Sequence, residues 1–442
     1  MQFEQLSDIM KSCGIVGAGG AGFPSYAKLN KKADTVILNC AECEPLFRVH
    51  RQLLAKYSYE ILTALETVRG AIGAKKIIIA VKPSYKDAIE AVNDRLEAFK
   101  NVTVHHLPEV YPAGDEVITI YECTGKVVPP GALPIEVGCI VYNVETMLNT
   151  YYAITQNRPV THKYVTVGGA VKNSATFYVP VGTKFKELIK MAGGETIENP
   201  AYLNGGAMTG NLAKVTDAVT KTTNAVLVLP KNHPVIATRE TKVTMKIKRS
   251  MSSCCQCRTC TDMCPRYLLG HPIEPHLVMR AVSKGMDTDI KAVLNTAFCA
   301  QCNVCELYAC PQGLAPKSII GDLKIKLREQ GIKTEKPELA PVDSIRGYRQ
   351  INMKRLLARL GLTQYAVKAP LSDKITEQKE LKVMMRQHIG ISAQPLVKVG
   401  DSVNFGDKIA TVGDKLGAEI AAPMSGKIVE ATQNYLVIRS GR

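Results

Sequence analysis

Apolar residues in the first third of the chain come in short blocks separated by stretches of helical periodicity. Thr35-Val36-Ile37-Leu38-Asn39, Lys75 to Val81 and Val102 to His106 read as buried strands, and Val141-Tyr142-Asn143 ends another. Between them, residues 48–69 and 84–98 place apolar side chains at helical spacing, and residues 1–13 read as a short amphipathic helix. Strand and helix alternating in this way predict an α/β layer sheet. From 162 to 230 the rhythm changes: Tyr164 to Val167, Phe177 to Pro180 and Val226 to Leu229 predict strands around a helix from Phe185 to Ala192. Residues 331–380 are mixed and charged, which predicts a linker with short helices. Beyond 381, short strands with regularly spaced Gly and Asp turns predict a small all-β unit. The longest apolar run, Ile77-Ile78-Ile79-Ala80-Val81, is far short of a membrane span, and no charged-then-apolar leader opens the sequence.

At 442 residues the chain is too long for one core. Its 14 cysteines, without an export signal, point to a reducing compartment in which thiols serve metal rather than disulfides. Their spacing names the metal chemistry. Cys254, Cys257, Cys260 and Cys264-Pro265 form C-x2-C-x2-C-x3-C-P, the bacterial iron–sulfur run. Cys299, Cys302, Cys305 and Cys310-Pro311 repeat it with one extra residue before the last cysteine. Thiolates at every third residue of a short loop can wrap three corners of an Fe4S4 cube, and the fourth corner is taken from the other block. One cluster is therefore expected on Cys254, Cys257, Cys260 and Cys310, and the other on Cys299, Cys302, Cys305 and Cys264. C-x2-C pairs also serve zinc, but such crowded blocks, each ending in Cys-Pro, fit zinc spacing poorly. Cys255 is out of register, and eight cysteines suffice without His271 or His276.

The formal charge is +16. Two all-cysteine cubes of roughly −2 each would bring it to about +12. The basic residues are dispersed and no nucleic-acid module is present, so nucleic acid is excluded and an acidic protein or a phosphate-bearing ligand is the expected partner.

Candidate chemistry also lies at the strand ends. Gly17, Gly19 and Gly22 satisfy G-x-G-x-x-G, but a helix-like stretch rather than a strand precedes them, so the Rossmann fingerprint fails. A glycine run still lets backbone N–H groups approach a phosphate, and the alternative is a plain turn. Asn39-Cys40-Ala41-Glu42-Cys43-Glu44-Pro45 offers either a C-x-x-C redox dithiol or, the reading preferred here, carboxylates that could bind ribose hydroxyls beside two packing cysteines.

Taken in order, Gly17-Ala18-Gly19-Gly20-Ala21-Gly22-Phe23-Pro24, the 39–45 segment, Tyr111-Pro112-Ala113-Gly114-Asp115-Glu116 and Asn143-Val144-Glu145-Thr146 carry a resemblance. They are similar to the flavoprotein family containing the NADH-binding subunit of respiratory complex I and the RnfC-type electron-transport subunit. The resemblance implies that Gly17, Gly19, Gly20, Gly22, Lys28, Asn39, Glu42, Tyr111, Gly114, Asp115 and Asn143 hold FMN. Phe23, Glu44 and Glu116 would lie beside the nicotinamide nucleotide. Ala41 and Tyr142 stand where the complex I subunit has polar residues. The run from Thr261 to His271 around Cys264-Pro265 resembles, more narrowly, the PduS-type corrinoid (cobalamin) reductases of microcompartments.

The implied architecture is multidomain, α/β plus α+β. A Rossmann-like FMN/NADH α/β domain (1–158) precedes a soluble-ligand-binding β-grasp (SLBB) domain (159–240). A ferredoxin-like helical domain with two 4Fe-4S clusters (241–330), the linker (331–380) and an all-β barrel-sandwich hybrid (381–442) follow. Asp414-Lys415 sits about where lipoyl and biotinyl carriers bear their modified lysine, against the ordinary reading of a solvated turn. The implied function is an NADH-dependent oxidoreductase passing electrons through FMN and two clusters to cobalamin. No D-x-H-x-x-G corrinoid motif is present, so the corrin would be a visiting substrate. The alternative is an RnfC-like subunit exchanging electrons with an acidic carrier protein such as ferredoxin. Implied partners are a microcompartment shell or an adenosyltransferase, in the cytoplasm or inside the compartment.

Overall fold

The computed structural model describes residues 1–372 and 378–441, so residues 373–377 of the expected linker lie outside the described residues. The N-terminal sheet is parallel, in the spatial order Val102–His106, Lys76–Val81, Thr35–Asn39, Cys139–Asn143. Its inner strands read as unbroken apolar runs because both faces are covered. Val36 and Leu38 point into a core shared with the helices Val49–Lys56, Ser58–Ile72 and Val144–Gln156. Ile37, between them, points into the opposite core under Glu116–Thr124. The single helix expected over 48–69 is two, broken at Tyr57. The break lets Val49–Lys56 pack on Lys86–Asn93 while Ser58–Ile72 packs on Val144–Gln156.

The β-grasp sheet runs Leu371–Ser372, Ala175–Pro180, His162–Gly169, Ala225–Pro230, Pro200–Asn204, Asn211–Ala213, with the helix Phe185–Met191 on its core. Its first strand comes from the expected linker. That segment carries short helices, Met353–Arg359 among them, and it is also a packed strap. Ile351–Asn352 pairs antiparallel with Val110–Tyr111, and Arg346 pairs with Glu122. The C-terminal unit sandwiches one core between two small sheets. Its Glu419 carbonyl and the Gly14 carbonyl each accept a 2.7 Å bond from the buried Lys221 ammonium, which ties the first, second and last units together. Burial pushes Lys221 down to about 7. Among the described residues no helix is long and apolar enough to cross a membrane.

A flavin cleft that shares a wall with one cysteine quartet

Asn39 and Asn143 are register partners at the carboxyl ends of adjacent parallel strands. The chain leaves Thr35–Asn39 toward one edge of the sheet and returns on the other side with Cys139–Asn143, so the strand order reverses between them. A crevice opens at such a switch point. Here it is a cleft of about 680 Å3, and every residue expected to hold FMN or the nicotinamide nucleotide lines it.

The glycine loop closes one end. Val16 and Pro24 form a bridge, and the Gly17 N–H donates to the Phe23 carbonyl at 2.9 Å. A Cβ on Gly19 would come within 2.7 Å of the Asn143 amide, so the loop reaches its place only without a side chain there. Gly20 has φ +84° and open space above it. Gly22 instead abuts Thr222 and His388 of the neighbouring units.

The polar residues of the cleft are largely held by one another. The Lys28 ammonium donates to Glu116 at 2.8 Å and to the Val141 carbonyl at 3.0 Å. The Asn39 amide donates to the Gly114 carbonyl at 2.9 Å. Asp115 caps the helix Glu116–Thr124 through the N–H groups of Val117 and Ile118, and accepts a 2.9 Å bond from Arg266. Glu42 accepts from the His50 and Arg51 N–H groups and from Arg51 Nε. Burial would raise its carboxyl, but Arg51 holds it below the usual range. Glu44 reaches the β-grasp unit, accepting from the N–H groups of Met208 and Thr209 and from the Thr209 hydroxyl at 2.5–3.0 Å. Burial pushes its carboxyl up.

Ala41 and Tyr142 face the protein core, not the cleft. Cys40 is buried and Cys43 half-buried. Burial drives the first thiol well up and the second to about 11, and both are free, which suits packing residues better than a redox dithiol. Sequence reasoning missed the residues that complete the cleft from elsewhere: His50, Thr209, Asn224, Ala300, Cys302 and Ile389. His50 departs from any glycine or acid signal, yet its Nε2 is buried without a partner. Apolar walls from Phe23, Phe47 and Ile140, a side-chain-free loop, one lysine and an unpartnered imidazole fit a planar flavin with a phosphate tail.

The cysteines gather as the two expected quartets. Cys264, Cys299, Cys302 and Cys305 line one small void, and Cys254, Cys257, Cys260 and Cys310 line another, with Cys255 and His276 at its rim. Both loops share one backbone solution. Gln256 and Arg258 in the first, Gln301 and Asn303 in the second, are left-handed at φ 54–69°. Each loop's glutamine amide donates to its first cysteine, at 3.3 Å on Cys254 and 3.4 Å on Cys299. The extra residue before Cys310 is absorbed by a π turn, Val304–Ala309, where the first block has the α turn Thr259–Asp262. Burial pushes the Cys260 thiol up to about 12 and Cys264 to about 11, with neighbouring thiolates adding to it, so such sulfurs need bound iron to stay ionised. Among the described residues no three His, Cys, Asp or Glu side chains converge on a single ion, and the quartets are spread as a larger cluster requires. Cys302 lines both its quartet's void and the cleft, and the Tyr111 hydroxyl of the cleft donates to its carbonyl at 2.6 Å.

A nucleotide cleft at a parallel-sheet switch point, walled by one of two cysteine quartets, defines a flavin and iron–sulfur electron-transfer oxidoreductase. Four family models match in the same order: the Nuo51 FMN-binding domain (residues 10–152), the SLBB domain (164–212), the 4Fe-4S dicluster domain (253–315) and the RnfC barrel sandwich hybrid domain (364–441). The chain belongs to the cobalamin reductase PduS family. It is 41% identical to cobalamin reductase PduS of Citrobacter freundii, over 99% of this chain and 97% of that one, and 40% identical to PduS of Salmonella typhimurium over 99% and 97%. It is also 33% identical to the RnfC-type component of the Na(+)-translocating ferredoxin:NAD(+) oxidoreductase complex of Acetobacterium woodii, over 61% of this chain and 59% of that one. The fold resembles an NAD+-reducing NiFe hydrogenase crystal structure with a TM-score of 0.50, at 19% identity over 78% of this chain and 66% of that one.

Proposed function

We propose that the chain oxidises NADH in the cleft and delivers the electrons singly, through the Cys302 quartet and then the Cys257 quartet, to cobalamin, taking cob(III)alamin toward cob(I)alamin. FMN bound in the cleft supplies a centre that accepts a hydride and can release electrons one at a time, which a nicotinamide cannot readily do. The side chains have other tasks. Gly19 and Gly20 leave room for a phosphate, Lys28 and Glu116 set the charge at the cleft's edge, and Glu44 holds the 208–209 loop of the β-grasp unit over the opening. No side-chain acid–base step is required. The observation that carries the reading is Cys302, common to the cleft and to one quartet's void. The test is NADH and hydroxocobalamin with purified, iron-replete protein. Reduction of the corrin without any other protein supports the proposal.

The second reading, an RnfC-like module feeding a ferredoxin, is favoured by the surface around the other quartet. Cys257 is exposed, and the approach to it from Lys242 to Arg258 carries Lys242, Lys246, Lys248, Arg249 and Arg258 with no acid. Failure with the corrin together with rapid turnover on an added acidic ferredoxin would decide for it. Residence inside a microcompartment is part of the first reading, and co-purification with shells tests it.

A further inference from the structure

The two quartets share loop geometry but not the residue after their Cys-Pro pairs. On the cleft side the pair is followed by Arg266; on the outer side Cys310-Pro311 is followed by Gln312, which is neutral and exposed. Arg266 lines the void formed by Cys264, Cys299, Cys302 and Cys305. Its guanidinium donates to Asp115 at 2.9 Å, while its Nε is shielded from solvent and has no partner in the protein. A buried N–H without an acceptor is rare and costs about 1–3 kcal/mol, so its persistence beside four cluster cysteines needs a reason. The other cation close by is Lys324, whose ammonium donates to the Cys299 carbonyl at 2.9 Å.

We propose that Arg266 is the positioning residue that raises the reduction potential of the cleft-side cluster above that of the outer one, with its buried Nε–H turned to the cluster's sulfur and its charge restrained by Asp115. Hydrogen bonds to sulfur and local charge are two of the protein's levers on cluster potential. A raised potential makes the cleft-side cluster the ready first acceptor. Asp115 then links the flavin cleft to that cluster, since the carboxylate that caps Glu116–Thr124 also draws on the guanidinium.

This inference rests on the assignment of Cys264, Cys299, Cys302 and Cys305 to one cluster, and the experiment separates the two. Anaerobic redox titration of the full-length holoprotein, followed by paramagnetic resonance, gives one wave per cluster, and the wave retained in Cys257→Ala protein is the cleft-side one. Arg266→Gln makes the two blocks alike. It should lower the reduced-to-oxidised ratio of the cleft-side cluster at fixed potential about tenfold, ~59 mV for one electron, and leave the outer wave in place. Arg266→Lys keeps the charge but not Nε and should recover part of that shift. Asp115→Asn should move the same wave the opposite way, a sign that loosened packing would not produce. An unmoved wave in iron-replete Arg266→Gln protein overturns the inference alone, as does Asp115→Asn shifting the wave downward. If Arg266→Gln protein fails to hold iron, the direction given by Asp115→Asn decides. Only one iron–sulfur wave in the unmodified protein would instead overturn the cluster assignment.

Discussion

Cys302 and Cys257 are the middle cysteines of matching blocks, wrapped by the same left-handed residues and served by equivalent glutamines, yet their surroundings are opposite. Around Cys302 the chain is closed: Cys264 and Cys305 are buried, the flavin cleft forms one side, and the Tyr111 hydroxyl braces the loop. Around Cys257 the chain is open, with Cys255, Gln256, Arg258, Pro311 and Gln312 all exposed. A near-symmetric pair of loops thus acquires direction from what docks on each, not from its own sequence. One quartet faces the place where electrons enter, the other the place where a partner can reach them.

The largest effect should come from breaking that order. Cys302→Ala should slow the reduction of the remaining cluster by NADH at least about 100-fold, worth about 2.7 kcal/mol on the barrier, while flavin bleaching by NADH persists. Cys257→Ala should cost about half the iron as well, yet leave the remaining cluster reducible by NADH. Rapid-mixing spectroscopy on both variants checks this, and the reverse pattern would place the outer quartet next to the flavin. A large loss of stability should follow Glu306→Gln. Glu306 in the π turn pairs with Lys246 at 3.2 Å and with Ser318, both partners of the ion pair being almost sealed from water. Leaving the Lys246 charge unpaired should cost about 3–5 kcal/mol in denaturant unfolding, and Lys246→Met in the same chain should restore most of it. The difference in exposure predicts a smaller effect still: under oxidant and chelator, iron should leave in two equal phases, the outer one about tenfold faster. A single phase would show that the two quartets are equally accessible in solution.

Much of this was legible in the sequence because the motifs carry their own geometry. C-x2-C-x2-C with a swapped Cys-Pro needs no tertiary knowledge to be paired, and both voids contain the expected four cysteines. The cleft residues were reached through resemblance, since periodicity alone gave only strand-end loops. What stayed hidden depends on long-range packing. Nothing local marks Gln256, Arg258, Gln301 or Asn303 as left-handed, because no glycine announces it. Residues 331–380 look like a linker because Ile351–Asn352 and Leu371–Ser372 are too short to show alternation, yet each completes a sheet elsewhere. Glu44 reads as a ligand-facing acid, while its carboxylate is occupied by a loop more than 160 residues away in the chain. Which quartet meets the flavin cleft is set by docking of domains, for which no short motif exists.

The smallest of these effects concerns the contact where the two regions meet. Tyr111 is buried beneath the cleft, its strand pinned by Ile351–Asn352, and its hydroxyl gives the 2.6 Å bond to the Cys302 carbonyl. Tyr111→Phe keeps the ring and its packing and removes only that bond, so the cost to stability should be about 1 kcal/mol. FMN and iron contents should not change, because neither the glycine loop nor any cysteine is disturbed. Reduction of the cleft-side cluster by NADH should slow by about 2–5-fold as the Cys302 loop loses its brace, equivalent to about 0.4–1 kcal/mol. Stopped-flow traces of the variant beside the unmodified protein give this ratio directly. No change at all would mean that the strand pairing with Ile351–Asn352 holds the junction unaided. A loss greater than tenfold would give the hydroxyl a part in the transfer itself, and would make the cleft-side quartet differ from its twin in chemistry as well as in burial.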